Sequence, residues 1–187
     1  MKLYVIRHGE SENNKKGCYT GWLDVALTEK GLGDAKKAGE CLCDVKFDKV
    51  YSSDLLRAKT TAKTALSGYE IDTTPLLREI NIGSIAGKPL SVMTYEERCE
   101  ALRVGYSSFG GESINEFHER IKSFMHNVEE LGYESIAAFS HAGWMRGMLD
   151  VIIGFQLPRK HIYCANCAIA IFEYTDNTWR LHSWMNL

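Results

Sequence analysis

Short apolar runs alternate with segments of helical periodicity along most of the chain. The runs are rich in β-branched and aromatic residues and have the length of buried strands. They predict strands at residues 2–6, 49–52, 135–140, 168–174 and 179–184, with a weaker edge strand near residues 70–73. The segments between them are mostly long enough for helices, so the pattern favours alternating strands and helices over an all-β fold.

The clearest helical pattern is the segment SINEFHERIKSFMHNVEELG, residues 113–132. Ser113 and Glu116 have the spacing of a capping box, and Gly132 has the position of a helix terminator. One apolar stripe runs along the segment: Ile114, Phe117, Ile121, Phe124, Val128 and Leu131. Three further helices are predicted: one capped by Thr28 and running to about Cys43, one capped by Ser52 or Ser53 and running through Ala65, and one beginning near Ala142.

Strands that alternate with helices are typical of a largely parallel sheet with helices on both faces. The chain has 187 residues, of which 45% are hydrophobic and 25% charged, and this suits one globular domain with a substantial core. No linker, repeat or low-complexity tract divides it. We therefore predict a single-domain α/β fold over residues 1–187, with a mostly parallel central sheet flanked by helices on both faces.

Charge and hydropathy limit the classes of partner. A net charge of −2 and a pI near 6.3 provide no general attraction to nucleic acid or to an anionic membrane surface. The short apolar run before Arg7 is too brief for a signal peptide, and no later run approaches the ~20 residues of a membrane span. The expected partner is a small molecule and the expected location is the cytoplasm, while the oligomeric state is left open.

The cysteines are expected to be reduced thiols, since a chain of this size needs no disulfide framework. Cys164 and Cys167 have the C-x-x-C spacing of a metal or redox site, but no second cysteine pair completes a zinc set. They lie in YCANCAIAIFEY, which has the pattern of a buried strand, so a structural role is predicted. A structural or surface role is also predicted for the histidines that show no ligand spacing: His118, His126, His161 and His182.

Polar clusters follow three of the predicted strands. Arg7 and His8 come after the first strand, Arg57 lies in the helix after the strand at 49–52, and His141 follows the strand at 135–140. Because ligands bind at the carboxyl ends of strands in such sheets, we expect these side chains to converge. Arginine donates paired hydrogen bonds to phosphate oxygens, and histidine can attack phosphorus when it is neutral. The clusters predict a phosphoryl-transfer site.

These residues belong to an ordered set of motifs: RHGESENN, YTGWLDVALTEKG, VYSSDLLRAKTTA, LLREINIG, GGES and FSHAGWMR. In this order the motifs resemble those of the histidine phosphatase superfamily, which has the phosphoglycerate-mutase-like fold. The resemblance implies His8 as the nucleophile that becomes phosphohistidine, with Arg7, Arg57 and His141 holding the phosphoryl oxygens and Glu79 as the proton donor. It also implies that Asn14, Thr20 and Gly21 contact the phosphate or the substrate.

Three functions are compatible with this set of residues. The leading hypothesis is a phosphomonoesterase that hydrolyses a small phosphorylated metabolite with no metal or other cofactor, because arginine and histidine can supply the positive charge. A cofactor-dependent phosphoglycerate-type mutase is the alternative. A catalytically silent member that only binds phosphorylated ligands is less favoured, because the catalytic set is complete. Residues 84–111 are predicted to cover the substrate, and Trp22 either lines the pocket or anchors its loop.

Overall fold

The computed structural model describes residues 1–157 and 162–187. The strands in these ranges are β1 (Lys2–Arg7), β2 (Lys49–Ser53), β3 (Ile71–Thr74), β4 (Ser135–Ser140), β5 (Ile169–Thr175) and β6 (Thr178–Met185). The α-helices are α1 (Glu12–Lys16), α2 (Glu29–Cys41), α3 (Leu56–Ala65), α4 (Tyr95–Val104), α5 (Ile114–Glu129) and α6 (Ala142–Ile153). None of these helices combines the length and the apolar character needed to cross a membrane. His161 lies outside the described residues, so its role stays a prediction.

The described strands form one sheet in the order β3–β2–β4–β1–β5–β6. The pairs β1–β4, β2–β4 and β2–β3 are parallel. β5 pairs antiparallel with β1 and with β6, and together β5 and β6 extend the sheet on that side. The mostly parallel α/β sheet predicted from the sequence is confirmed, and the weaker edge strand exists as β3.

Helices cover both faces of the sheet, as predicted. On one face α5 and α6 pack against β1, β4 and β5, with Phe117, Ile121 and Phe124 of α5 in the core. On the other face Ala62 of α3 and Leu66, directly after this helix, pack against the sheet, and α2 lies beside α3. The helices that follow β1 and β4 therefore lie on opposite faces although these strands are neighbours. This arrangement opens a crevice at the carboxyl ends of β1 and β4.

The amphipathic helix α5 follows its predicted pattern closely. Ser113 Oγ accepts the amide of Glu116, and the Glu116 carboxylate accepts the amide of Ser113, so the capping box is present. The stripe is buried from Phe117 to Val128, but the helix ends before Leu131, whose side chain is 41% exposed. Leu131, the last apolar position of the predicted stripe, therefore lies outside the helix and outside the core.

Two local predictions were wrong. Ser52 and Ser53 do not cap α3, because both remain in β2 and pair with β3, and the helix begins after Leu55 with no side-chain cap. Cys164 precedes β5 rather than lying in a strand, because Cys167 has a φ of 58°, which an extended strand cannot contain. The short helices α1 and α4 were not predicted, since their largely polar sequences show no clear apolar stripe.

Helix α2 packs tightly against the loop that follows β1. Thr28 caps α2 by accepting the Gly31 amide, and the Thr28 amide donates to the carbonyl of Glu10. A Cβ atom at Gly31 would overlap the backbone of Glu10, and one at Gly9 would overlap the carbonyl of Gly31. Helix and loop therefore touch through backbone atoms, which fixes the course of the chain directly after His8.

Replacing Gly31 with alanine should destabilise the protein by about 2 kcal/mol or more, because two backbone segments would have to separate. Gly33 is the matched control, since a Cβ atom there meets nothing within 4 Å. Gly33→Ala should stabilise α2 by about 0.5–1 kcal/mol through its higher helix propensity. Urea denaturation measures both changes, and equal stabilities of the two variants would contradict the backbone contact.

Candidate active site

The register of β1 and β4 brings two histidines to the same edge of the sheet. Arg7 lies opposite Ser140 in the parallel ladder, and the His8 amide donates to the Ser140 carbonyl at 3.0 Å. Each of the two strands is followed directly by a histidine. The ring centroids of His8 and His141 are 5.1 Å apart. The two predicted site histidines therefore lie side by side in the crevice between the strands.

Backbone groups fix the imidazole of His8 in one orientation. Its Nδ1 lies 2.7 Å from the Gly9 carbonyl oxygen, an arrangement in which the Nδ1–H group donates. The His8 carbonyl accepts the Asn166 side-chain amide at 3.2 Å and the Cys167 amide at 3.3 Å. Nε2 then carries the lone pair that a nucleophilic histidine needs. The sequence did not reveal Asn166, because this residue belongs to no motif. It lies between α6 and β5, 158 residues from His8 along the chain.

Two positive charges act on a buried imidazole at this point. Burial lowers the pKa of His8 well below its ordinary value of 6.5, and the charges of Arg57 and Arg7 lower it further. His8 is therefore neutral at neutral pH, and its Nε2 lone pair is not taken by a proton. The charges of Arg57 and Arg7, which disfavour a proton on His8, also favour the approach of an anion.

The loop between α1 and α2 holds the guanidinium of Arg57. This side chain, 1% exposed in the first turn of α3, donates to the carbonyls of Leu23 at 2.9 Å and Gly21 at 2.8 Å. Burial lowers the pKa of Arg57 to about 10, so Arg57 stays cationic at neutral pH. Arg7 donates to the Cys164 carbonyl at 2.6 Å. Both guanidinium groups are thus fixed by carbonyl oxygens and keep further N–H donors.

His141 provides a hydrogen-bond donor rather than a positive charge. Burial, followed by the charge of Arg57, lowers the pKa of His141 well below 6.5. Its Nε2 lies 3.0 Å from the Ser53 hydroxyl, which can donate to it and leave the proton on Nδ1. Six buried side-chain atoms of the described residues have no hydrogen-bond partner, and three of them are His141 Nδ1 and the Nε atoms of Arg7 and Arg57. Because unpaired buried donors are costly, such a set is suited to binding an anion.

Glu79 reaches the same edge of the sheet from the segment after β3. Its carboxylate accepts the amides of Ile80 and Gly143, each at 3.0 Å. A side chain at position 143 would displace this carboxylate, so Gly143 leaves the space that Glu79 occupies at the start of α6. Trp22 Nε1 donates to the Glu79 carbonyl at 2.7 Å. Of the two roles that the sequence left open for Trp22, this contact supports the anchoring of its loop.

The three expected substrate-binding residues are placed in different ways. Asn14 Oδ1 accepts the amide of the residue that caps α1 and the side-chain amide of Asn166, both at 3.2 Å, which leaves the Asn14 Nδ2 group as a donor. Gly21 is buried, and its carbonyl accepts from Arg57. Thr20 is half-buried in the same loop. Gly21 is thus tied to the site through the arginine that it holds.

Residues 84–111 form a small packed unit near Glu79. Met93, Ala101 and Tyr106 cluster with Ile82, and Tyr19 packs against this cluster from the loop before α2. The charged side chains of the segment are Lys88, Arg98, Arg103, Glu96, Glu97 and Glu100. Cations and acids balance, so the segment adds no net positive charge beside the site.

The cysteine pair contributes through its backbone. Cys164 and Cys167 are free and buried, and burial raises the pKa of both thiols, that of Cys167 to about 12. The Cys164 carbonyl accepts a hydrogen bond from Arg7, and the Cys167 amide donates to the His8 carbonyl.

In residues 1–157 and 162–187, no group of three or more histidine, cysteine, aspartate or glutamate side chains is arranged to hold a metal ion.

Comparison with known proteins agrees with this geometry. The model of the histidine phosphatase superfamily (branch 1) matches residues 3–187. The chain belongs to this superfamily. The 2,3-bisphosphoglycerate-dependent phosphoglycerate mutase of Bartonella henselae is 32% identical over 94% of this chain and 92% of that protein.

Two solved structures share the whole fold. The alpha-ribazole phosphatase of Shigella flexneri superposes with a TM-score of 0.85 at 26% identity, over 98% of this chain and 96% of that one. The phosphoserine phosphatase of Entamoeba histolytica, solved with 3-phosphoglyceric acid, has a TM-score of 0.85 at 24% identity, over 100% of this chain and 97% of that one. The similar proteins at 26% identity or more thus include one named as a phosphatase and one named as a mutase.

The lowered pKa of His8 predicts how stability depends on pH. Below pH 6.5 the unfolded chain protonates this histidine and the folded protein does not, so stability falls as the pH decreases from 6.5 toward the folded-state pKa. A difference of one bound proton between the unfolded and folded states changes the free energy of unfolding by up to about 1.4 kcal/mol per pH unit. His8→Asn should therefore flatten the profile between pH 6.5 and 5, as measured by urea denaturation. His182→Asn, at an exposed position in β6, is the control for the substitution itself. An unchanged slope in His8→Asn would show that His8 is not held neutral.

Proposed function

We propose that this histidine phosphatase superfamily member is a metal-independent phosphomonoesterase, which hydrolyses a small phosphorylated metabolite through a phosphohistidine on His8. The observation that carries the proposal is the neutral His8 ring, fixed through Nδ1 by the Gly9 carbonyl and flanked by Arg7 and Arg57. The site thus combines an aligned nucleophile with fixed positive charges. Phosphoryl transfer depends chiefly on these two contributions.

In the first half of the reaction, His8 Nε2 attacks phosphorus and the P–O bond to the leaving alcohol breaks. Arg7, Arg57 and His141 Nδ1–H donate to the three remaining phosphoryl oxygens. The two arginines supply the positive charge that a metal ion supplies in other phosphatases. Glu79 transfers a proton from its carboxyl group to the leaving oxygen, so the product departs as a neutral alcohol.

In the second half, water attacks the phosphohistidine and Glu79 accepts the proton of that water. The N–P bond breaks, inorganic phosphate forms, and His8 returns to its neutral state with the lone pair on Nε2. One carboxyl group thus serves as acid and then as base, and the covalent intermediate divides one difficult step into two easier ones.

Asn14, Thr20 and Gly21 are assigned to binding in this reaction. The Asn14 Nδ2 group is available to donate to the phosphoryl group, because its Oδ1 is occupied by two protein donors. Gly21 acts through Arg57, which its carbonyl orients. We assign the Thr20 side chain, in the same loop, to the part of the substrate beyond the phosphate.

The charge of residues 84–111 favours the phosphatase over the mutase. A mutase has to shield phosphohistidine from water and bind the second phosphate of a bisphosphate, which calls for extra cations. This segment, which we assign to covering the substrate, balances its cations with acids, and Arg103 is paired with Glu100 at 2.6 Å. A second phosphate would therefore find little positive charge there. The relatives named above include proteins of both kinds, and this difference in charge supports the phosphatase.

Product analysis tests the proposal. The enzyme is primed with 2,3-bisphosphoglycerate, supplied with 3-phosphoglycerate or with other small phosphoesters, and assayed for free phosphate and for 2-phosphoglycerate. With 3-phosphoglycerate, phosphate release should greatly exceed the formation of 2-phosphoglycerate, because water can reach the phosphohistidine. Efficient isomerisation with little free phosphate would establish the mutase instead.

Two controls belong to this experiment. His8→Ala should fold and release no phosphate above background, because the nucleophile is missing. Exhaustive chelation should leave the native rate unchanged, because the arginines carry the charge. Turnover by His8→Ala would contradict the nucleophile assignment, and a rate lost on chelation and restored by Mg²⁺ or Zn²⁺ would contradict metal independence.

A further inference from the structure

Arg120 is a largely buried arginine on α5 that no catalytic motif explains. Its side chain is 13% exposed. Its terminal N–H groups donate to the carbonyls of Leu76 at 3.0 Å, Arg78 at 2.8 Å and Glu79 at 3.1 Å. One guanidinium therefore binds the backbone along the whole approach to Glu79.

Glu112 binds the backbone on the other side of Glu79. It pairs with Arg120 through two hydrogen bonds of 2.9 Å, from Nε and from a terminal nitrogen. The same carboxylate accepts the amide of Asn81 at 2.7 Å, and the Glu112 amide donates to the Asn81 carbonyl at 2.9 Å. Arg120 and Glu112 thus fasten the chain immediately before and immediately after residue 80.

The side chain of Glu79 depends on this backbone. Two amides orient its carboxylate, those of Ile80 and Gly143. The Ile80 amide belongs to the backbone segment that Arg120 and Glu112 bind. A shift of the segment would move both the carboxylate and one of its two donors. Proton transfer requires the donor to lie within about 3 Å of the leaving oxygen, so a small shift is costly.

We infer that Arg120, together with Glu112, is a positioning residue for proton transfer by Glu79. The inference rests on the proposed function, in which the Glu79 carboxyl protonates the leaving oxygen as the P–O bond breaks. Arg120 itself touches neither the phosphoryl group nor the leaving group. Its loss therefore weakens the step that uses the Glu79 proton and leaves the attack by His8 intact.

The dependence of the rate on the leaving group distinguishes this role from a general structural one. Nitrophenolate leaves without protonation, whereas an alkoxide needs a proton from Glu79. We expect Arg120→Met to lower kcat/KM for an alkyl phosphate such as glycerol phosphate by about 10- to 100-fold, a part of the usual contribution of a general acid. For 4-nitrophenyl phosphate the loss should be less than about threefold, since kcat/KM reports only steps through the departure of the leaving group.

Glu79→Gln and the double variant complete the test. Glu79→Gln should show the same selective loss for alkyl esters, and adding Arg120→Met to it should cause little further loss, because both changes act on one proton transfer. An equal loss for both esters in Arg120→Met, with a selective loss in Glu79→Gln, would overturn the positioning role alone. No selective loss in Glu79→Gln would overturn the assignment of Glu79 as the acid, and the inference with it.

Two variants guard against effects on folding. Arg180→Met removes an exposed arginine of β6 and should change neither kcat/KM value. Glu112→Gln keeps an acceptor for the Asn81 amide but loses its charge pairing with Arg120, so it should show a weaker loss with the same preference for alkyl esters. If Arg120→Met does not fold, this preference in Glu112→Gln decides the question, and its absence would overturn the inference.

Discussion

The hydrogen bond from His8 Nδ1 to the Gly9 carbonyl determines what the rest of the site can do. It turns the ring so that Nε2 is the free nitrogen, and it is formed within two consecutive residues, so it needs no distant partner. Next to this hydrogen bond the backbone of Gly9 lies against that of Gly31 in α2, with no room for a side chain between them. The close packing of this glycine pair therefore holds the residue whose carbonyl orients His8, the proposed nucleophile.

Burial then determines the charge state of the site. Removing His8 and His141 from water makes both neutral, while Arg57 remains cationic at a pKa of about 10. Carbonyl groups from the loop between α1 and α2 replace the hydration that this arginine loses, and the charges of Glu79 and Asp24 favour its cationic form. A neutral histidine beside a fixed positive charge is the electrostatic condition that the proposed attack on a phosphate dianion requires.

The sequence predicted the sheet and the convergence of His8 and His141 because both follow from local patterns: apolar strands that end at polar residues, in an alternating order. It did not predict the residues that hold these two histidines in place. Asn166 meets His8 from 158 residues away along the chain, and Ser53, expected to cap α3, instead lies against His141. Such contacts depend on how loops meet in three dimensions, and neither residue carries a periodicity or a motif that could reveal it.

The site of phosphorylation on the His8 ring tests this account most directly. The enzyme is mixed with a slowly turned-over phosphoester, trapped in alkali, and studied by ³¹P and ¹⁵N NMR with labelled histidine. Because Nδ1 is bound to the Gly9 carbonyl, phosphorus should be attached to Nε2 of His8 and to no other nitrogen. Phosphorus on Nδ1, or on another residue, would contradict the claim that this hydrogen bond selects the nucleophile.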